Sequence, residues 1–357
     1  AANALFDDVD GRGGLLLELN SILFPYTIPI CITAMLSGAL NTRGSFALPA
    51  AVPIVLNVVW IAALYVAEPL GIVGDEATAE FLSWSLCIGG FAQLALVVVP
   101  LLRMKALQRP PLQWPAKGTS SRAVFVAMAP TVLGMSLGQI STLIDQTMAY
   151  SLLGEGANTY LYLGNRLLLF PHALTALAVV VAVFPKLASD ATEVDRATMR
   201  TTLDRAAAAM LFVTVPAAMG LFVLADDVVA GLFMRGNFTE EDAAATALTT
   251  RYLLIGLPFL GLSQLYARGY YALALTKTPA RIAAWLLAAN VALNAILIGV
   301  FSMGTEGLAA STSFCAIANA GWLAVGLRRD VPRATVRRGL WLRNVLATAA
   351  MCVAILL

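Results

Sequence analysis

The stretch GANTYLYLGNRLLLFPHALTALAVVVAVFPKLA, residues 156–188, decides the fold class. From Tyr160 to Phe184 it is almost wholly apolar. That is long enough for a helix to cross the hydrocarbon core of a bilayer, which takes about 20 residues. Within that run stands one arginine, Arg166. A guanidinium cannot escape hydrocarbon by losing its proton. Two readings follow. Its head snorkels to the outer headgroups, or it faces a water-filled cavity and binds an anion. Intramembrane charges usually face the bundle interior, and a guanidinium matches a phosphate two-pronged. Tyr160, Tyr162 and Asn165 would line the same opening, unless the tyrosines are ordinary interface anchors.

The rest of the chain repeats the pattern. Of 357 residues 59% are hydrophobic and 12% charged, with mean hydropathy +0.80. A soluble domain carries about 25% charged residues. Apolar runs alternate with short charged loops, which predicts an all-α polytopic membrane protein. The net charge of +2 is sorted by loop and makes no case for nucleic acid. Cys31, Cys87, Cys315 and Cys352 all sit in apolar runs without CxxC spacing, so they read as packing residues.

Ten spans can be drawn, at 16–40, 46–68, 79–104, 122–153, 157–188, 200–232, 243–274, 279–301, 306–328 and 337–357. Lys and Arg gather after the odd spans, as in Arg103–Arg122 and Arg328–Arg338, and acids after the even ones. Basic loops stay in the cytoplasm, so the odd spans run inward and the N-terminus lies outside. Residues 1–14 are polar and acidic, unlike a signal peptide, and the chain does not begin with methionine. The expectation is a fragment with an odd number of spans missing upstream.

A weak repeat agrees with this. GALNTRGSFALPAAVPIVLNVVWIAAL (38–64) resembles YALALTKTPARIAAWLLAANVALNAIL (271–297), with Asn57 opposite Asn290. Spans one to three then match seven to nine in the same orientation, a parallel six-helix repeat. Residues 1–15 are expected to be an outside loop and 16–117 the second half of an incomplete N-terminal lobe. Residues 118–330 would be a complete C-terminal lobe, and 331–357 the start of a C-terminal helix pair.

A second polar set lies deeper. Asp145 sits in an apolar run, Asn290 and Asn294 share one face of span eight, and Thr312 opens span nine. One carboxylate with amide and hydroxyl oxygens suits a small hard cation such as sodium. The alternatives are interhelical hydrogen bonding that glues spans together, or a proton on Asp145. Arg251 either adds positive potential to a cavity or snorkels. His172, after Pro171, reads as a packing histidine. Prolines interrupt many spans, which membranes tolerate. There is no Walker A sequence and no set of nucleophile, base and orienter, so an enzyme is not expected.

The segments at 24–57, 137–145 (LGQISTLID), 162–171 (YLGNRLLLFP), 231–243 (GLFMRGNFTEEDA) and 266–283 (YARGYYALALTKTPARIA) resemble the MurJ/MviN family. These are lipid II flippases of the multidrug/oligosaccharidyl-lipid/polysaccharide exporter superfamily. The resemblance implies a two-lobed bundle of fourteen helices, of which this chain looks like helices four to thirteen. It implies a multi-pass protein of the bacterial inner membrane that flips lipid-linked peptidoglycan precursor by cation- or potential-driven alternating access. The family's cavity arginine falls on Arg166, and a sodium site of some members on Asp145, Asn290, Asn294 and Thr312. Partners would be the lipid-linked precursor, membrane lipids, and cell-wall synthesis and division proteins. No cofactor is expected beyond a coupling sodium ion or proton. This chain departs from the family pattern at Asn165 and Leu169, and Asn294 stands where an acid is usual. The remaining alternatives are export of another undecaprenyl-linked glycan or a drug, and a non-transporting scaffold.

Overall fold

The computed structural model describes residues 12–41, 45, 47–103, 120–154, 156–174, 178–191 and 197–330, and nearly all of them are helical. The tenth expected span, 337–357, lies outside the described residues. The chain divides into two compact units, Ala1–Trp114 and Pro115–Leu357.

The first unit holds α1 (Arg12–Leu23), α2 (Thr27–Asn41), α3 (Ala47–Ala67) and α4 (Asp75–Arg103). The first expected span is therefore two helices, and helix already begins at Arg12, inside the expected loop of 1–15. A 3-10 turn at Phe24–Tyr26 separates them. Pro25 explains it, because proline cannot donate to the preceding turn. α4 is the common partner of the other three. Its Gly89 and Gly90 permit this, since a Cβ there would stand 2.7 Å from Leu56 and 2.5 Å from Tyr26. Leu40, Val97 and Leu101 form the unit's small core. Buried Gln93 donates to the Val52 carbonyl at 2.9 Å, beside Pro53.

The second unit holds α5 (Ser120–Leu152), α6 (Ala157–His172), α7 (Ala178–Asp190), α8 (Ala197–Val223), α9 (Ala225–Phe233), α10 (Glu240–Ala272), α11 (Lys277–Gly299) and α12 (Thr305–Asp330). The expected span 157–188 is thus built from two shorter helices, α6 and α7. α6 carries Pro171 in its last turn, and Ala173 and Leu174 continue it as a π-helical turn. The expected span 200–232 is corrected in the same way: it stops at Val223, and α9 is a separate short helix. Arg251 of α10 supplies the reason, because its Nε donates at 3.2 Å to the Phe222 carbonyl. That carbonyl belongs to the set a helix C-terminus leaves open. Asp226 and Asp227 then sit in the first turn of α9, where the helix dipole favours acids.

The turn RGNFT gains a physical role as well. Gly236 takes φ +64, and Thr239 caps α10 in a full capping box with Asp242. α10 is the hub of the unit. It packs against α6, α7, α8, α9 and α12, while α11 joins α5 to α12. The main core gathers Leu187, Met199, Leu203, Met210, Leu265, Tyr270, Leu323 and Leu327. Among the described residues seven stretches are long and apolar enough to cross a membrane: Leu17–Asn41, Ala47–Ala67, Asp75–Arg103, Thr198–Val223, Glu240–Ala272, Lys277–Gly299 and Thr305–Arg328. The chain is a multi-pass helical membrane protein.

Candidate functional site

α6 presents two faces. Leu161, Gly164 and Leu168 are buried, and Tyr162, Arg166, Leu169 and Phe170 are exposed. The second set recurs every three or four residues, so it forms one stripe. Gly164 allows the buried face to lie close on α10, with a Cβ position 3.2 Å from the Thr250 hydroxyl and 3.3 Å from Leu253. On the exposed stripe, the Arg166 Nε and one of its terminal nitrogens donate to the Tyr162 hydroxyl at 3.0 and 2.8 Å. The guanidinium carbon lies 5.1 Å from the Tyr162 ring centre. Tyr162 therefore orients Arg166 without neutralising it. Among the described residues Arg166 has no acidic partner, and the side chain is exposed.

The other two expected substrate contacts are differently placed. Asn165 is half-buried and donates at 3.0 Å to the Leu161 carbonyl of its own helix. Arg251 is tied to α9, with a 2.5 Å bond to Asp226 and the contact to Phe222 described above. The structure brings Arg166 and Tyr162 together and leaves Asn165 and Arg251 occupied elsewhere.

The second polar set converges. Buried Asp145 of α5 and Asn290 and Asn294 of α11 meet half-buried Thr312 of α12 in one cluster. Asn294 Nδ2 donates to Asp145 Oδ1 at 2.6 Å, and the Thr312 hydroxyl donates to Asp145 Oδ2 at 3.2 Å. Two further residues belong to it. Ser141 donates to Asn290 Oδ1 at 3.2 Å, and Asn290 Nδ2 donates to Ser311 Oγ at 3.2 Å. Ser311 in turn donates to Asn294 Oδ1. The sequence carried a faint signal for both serines: Ser141 lies one turn before Asp145, and Ser311 directly precedes Thr312. A cleft of about 250 Å³ opens beside the cluster, with Ser141, Thr142, Asp145, Asn290, Thr312 and Asn319 among its lining. It is roomy enough for several waters.

The donor set can be tested against a sodium ion. Oxygens are plentiful, but the group nearest Asp145 is an amide nitrogen carrying hydrogens. Each oxygen of Asp145, and each side-chain carbonyl oxygen of Asn290 and Asn294, already accepts a bond from this chain. As arranged, the residues do not fit a metal ion. Among the described residues no group of three or more His, Cys, Asp or Glu side chains could hold one.

A relative from Bdellovibrio bacteriovorus, named probable lipid II flippase MurJ, is 33% identical over 96% of this chain and 64% of its own length. One of the same name from Vibrio cholerae is 31% identical over 97% of this chain and 65% of its own. The chain thus spans a little under two thirds of the length of these curated relatives. Among solved structures, lipid II flippase MurJ in an inward closed conformation superposes with a TM-score of 0.79 at 24% identity, over 98% of this chain and 70% of that one. A Vibrio cholerae MATE transporter gives 0.67 at 16% identity, over 92% of this chain and 73% of that one. These likenesses show the fold. The family model described as lipid II flippase MurJ matches residues 15–357, nearly the whole sequence, and with it the chain belongs to the MurJ lipid II flippase family.

Proposed function

We propose that this protein moves the lipid-linked peptidoglycan precursor lipid II across the bacterial inner membrane, with Arg166 as the contact for its pyrophosphate. Family membership supports the substrate class. The observation that carries the residue assignment is the exposed Arg166 guanidinium, held by a tyrosine and by no acid among the described residues. A pyrophosphate brings several charged acceptor oxygens, and charge-assisted, two-pronged bonds to arginine are the strong kind. Tyr162 holds the guanidinium in place on the stripe, which lowers the ordering cost of binding. Leu169 and Phe170 continue that stripe as an apolar surface, suited to the prenyl part of the same ligand.

The test is lipid II binding to the purified protein in lipid nanodiscs. Arg166→Ala is expected to weaken binding by about tenfold or more, the loss of charge-assisted hydrogen bonds worth about 1.5–3 kcal/mol. Arg166→Lys keeps the charge and should recover only part of the affinity, because the two-pronged geometry is lost. Unchanged affinity in Arg166→Ala overturns the assignment. Binding of lipid II no stronger than that of a neutral polyprenol overturns the substrate.

A further inference from the structure

The cluster around Asp145 has a polarity that its composition hides. Three acceptors surround the Asn294 amide nitrogen: Asp145 Oδ1 at 2.6 Å, Asn290 Oδ1 at 3.4 Å and Met148 Sδ at 3.8 Å. The Asn294 carbonyl oxygen points the other way and takes the Ser311 hydroxyl. Turning the amide over would set its oxygen against both the Asp145 carboxylate and the Asn290 carbonyl oxygen, with no proton between them. The network therefore fixes which end of Asn294 meets Asp145.

The place where acceptors converge beside a buried carboxylate is the place where a cation would sit. Here it is filled by an N–H group of the chain. We infer that the Asn294 side-chain amide stands in for a metal cation against Asp145, so that this cluster takes up no sodium and clamps α5, α11 and α12 by hydrogen bonds alone. This clamp is the same whichever molecule the protein carries.

A metal would have to displace Asn294 Nδ2, break its bond to Asp145, and rotate an amide whose other end is held by Ser311. The single carboxylate supplies one negative charge to offset that cost. An amide donor, by contrast, is covalently tethered and always present, so the three helices are joined at every sodium concentration.

The experiment is thermal unfolding of the detergent-purified protein in sodium, potassium or choline chloride at equal ionic strength. The wild type is expected to melt at the same temperature in all three. Asn294→Asp replaces the donor with a second carboxylate, and Asn294→Ala removes the donor and leaves Asp145 facing a gap. Each is expected to melt lower in choline and to regain stability in sodium. A sodium-specific rise in the wild type that disappears in Asp145→Asn overturns the inference. So does a folded Asn294→Asp or Asn294→Ala protein that ignores sodium. If neither variant folds in any salt, the wild-type comparison decides alone.

Discussion

The Tyr160 hydroxyl donates to the Asp242 carboxylate, which joins the first turn of α6 to the first turn of α10 across 82 residues of sequence. The same carboxylate accepts from the Thr239 backbone at 2.8 Å and from its hydroxyl at 2.7 Å. One acid thus closes the capping box of α10 and anchors the helix that carries Arg166.

Gly156 completes this joint. It holds φ +82, and a Cβ there would stand 2.5 Å from the Tyr160 hydroxyl oxygen. Gly156→Ala should be destabilising on two counts: the left-handed backbone, at about 1–2 kcal/mol, and the clash. Tyr160→Phe alone should lower the melting temperature by a few degrees through loss of the tie. In the double variant the 2.5 Å contact is removed and the ring carbon Cζ at 2.8 Å remains, so the clash is partly relieved and the combined loss should fall short of the sum. Strict additivity in thermal unfolding would show that the hydroxyl does not sit over Gly156.

Gly256 marks a close approach of α10 to α12. A Cβ would lie 2.8 Å from Ser313 Oγ and 3.0 Å from its Cα. Gly256→Ala is expected to cost about 1–3 kcal/mol by overpacking. Ser313→Ala should not rescue it, because the backbone carbon remains in the way. On its own Ser313→Ala should cost about 1 kcal/mol, since its hydroxyl donates at 2.6 Å to the Tyr252 carbonyl. A Gly256→Ala protein as stable as wild type would refute this close packing.

The Arg251–Asp226 pair makes a different demand. The Asp226 side chain is 63% exposed and the Arg251 side chain 27%. A pair so placed contributes at most about 1 kcal/mol. Asp226→Asn should hardly move global stability, yet it should speed hydrogen exchange in α9. Arg251→Gln should do both, because the Phe222 carbonyl also loses its donor. Exchanging the two charges should restore slow exchange in α9. If α9 exchanges equally slowly in all three, the pair does not hold it.

Span positions were legible because apolar length and loop charge are local signals. The break at Pro25 falls inside one expected span, 16–40, because membrane helices often tolerate a proline. The break after Val223 was not legible either. LFVLADDVVAGLF reads as a continuing apolar helix, and what stops it is a side chain from residue 251. The Asp145 cluster was half legible. The spacing of Asn290 and Asn294 places them on one face, but helical serines usually bond their own backbone, so Ser141 and Ser311 needed the tertiary fold to declare themselves. The direction of the Asn294 amide had no trace in the sequence at all. A carboxylate, amides and hydroxyls look oxygen-rich on paper, and only three-dimensional placement shows a nitrogen at the centre.

The central position of α10 bears on how the second unit comes apart. Sixteen of its 33 residues are buried, and five other helices lean on it. Pulling any of these away exposes α10 apolar surface that the others still need covered, so α6 to α10 and α12 should yield as one cooperative block under force. The α5–α11 pair touches this block chiefly through α12. A single-molecule extension trace should therefore show two rips: a small early one for that pair, and a large one for everything built around α10.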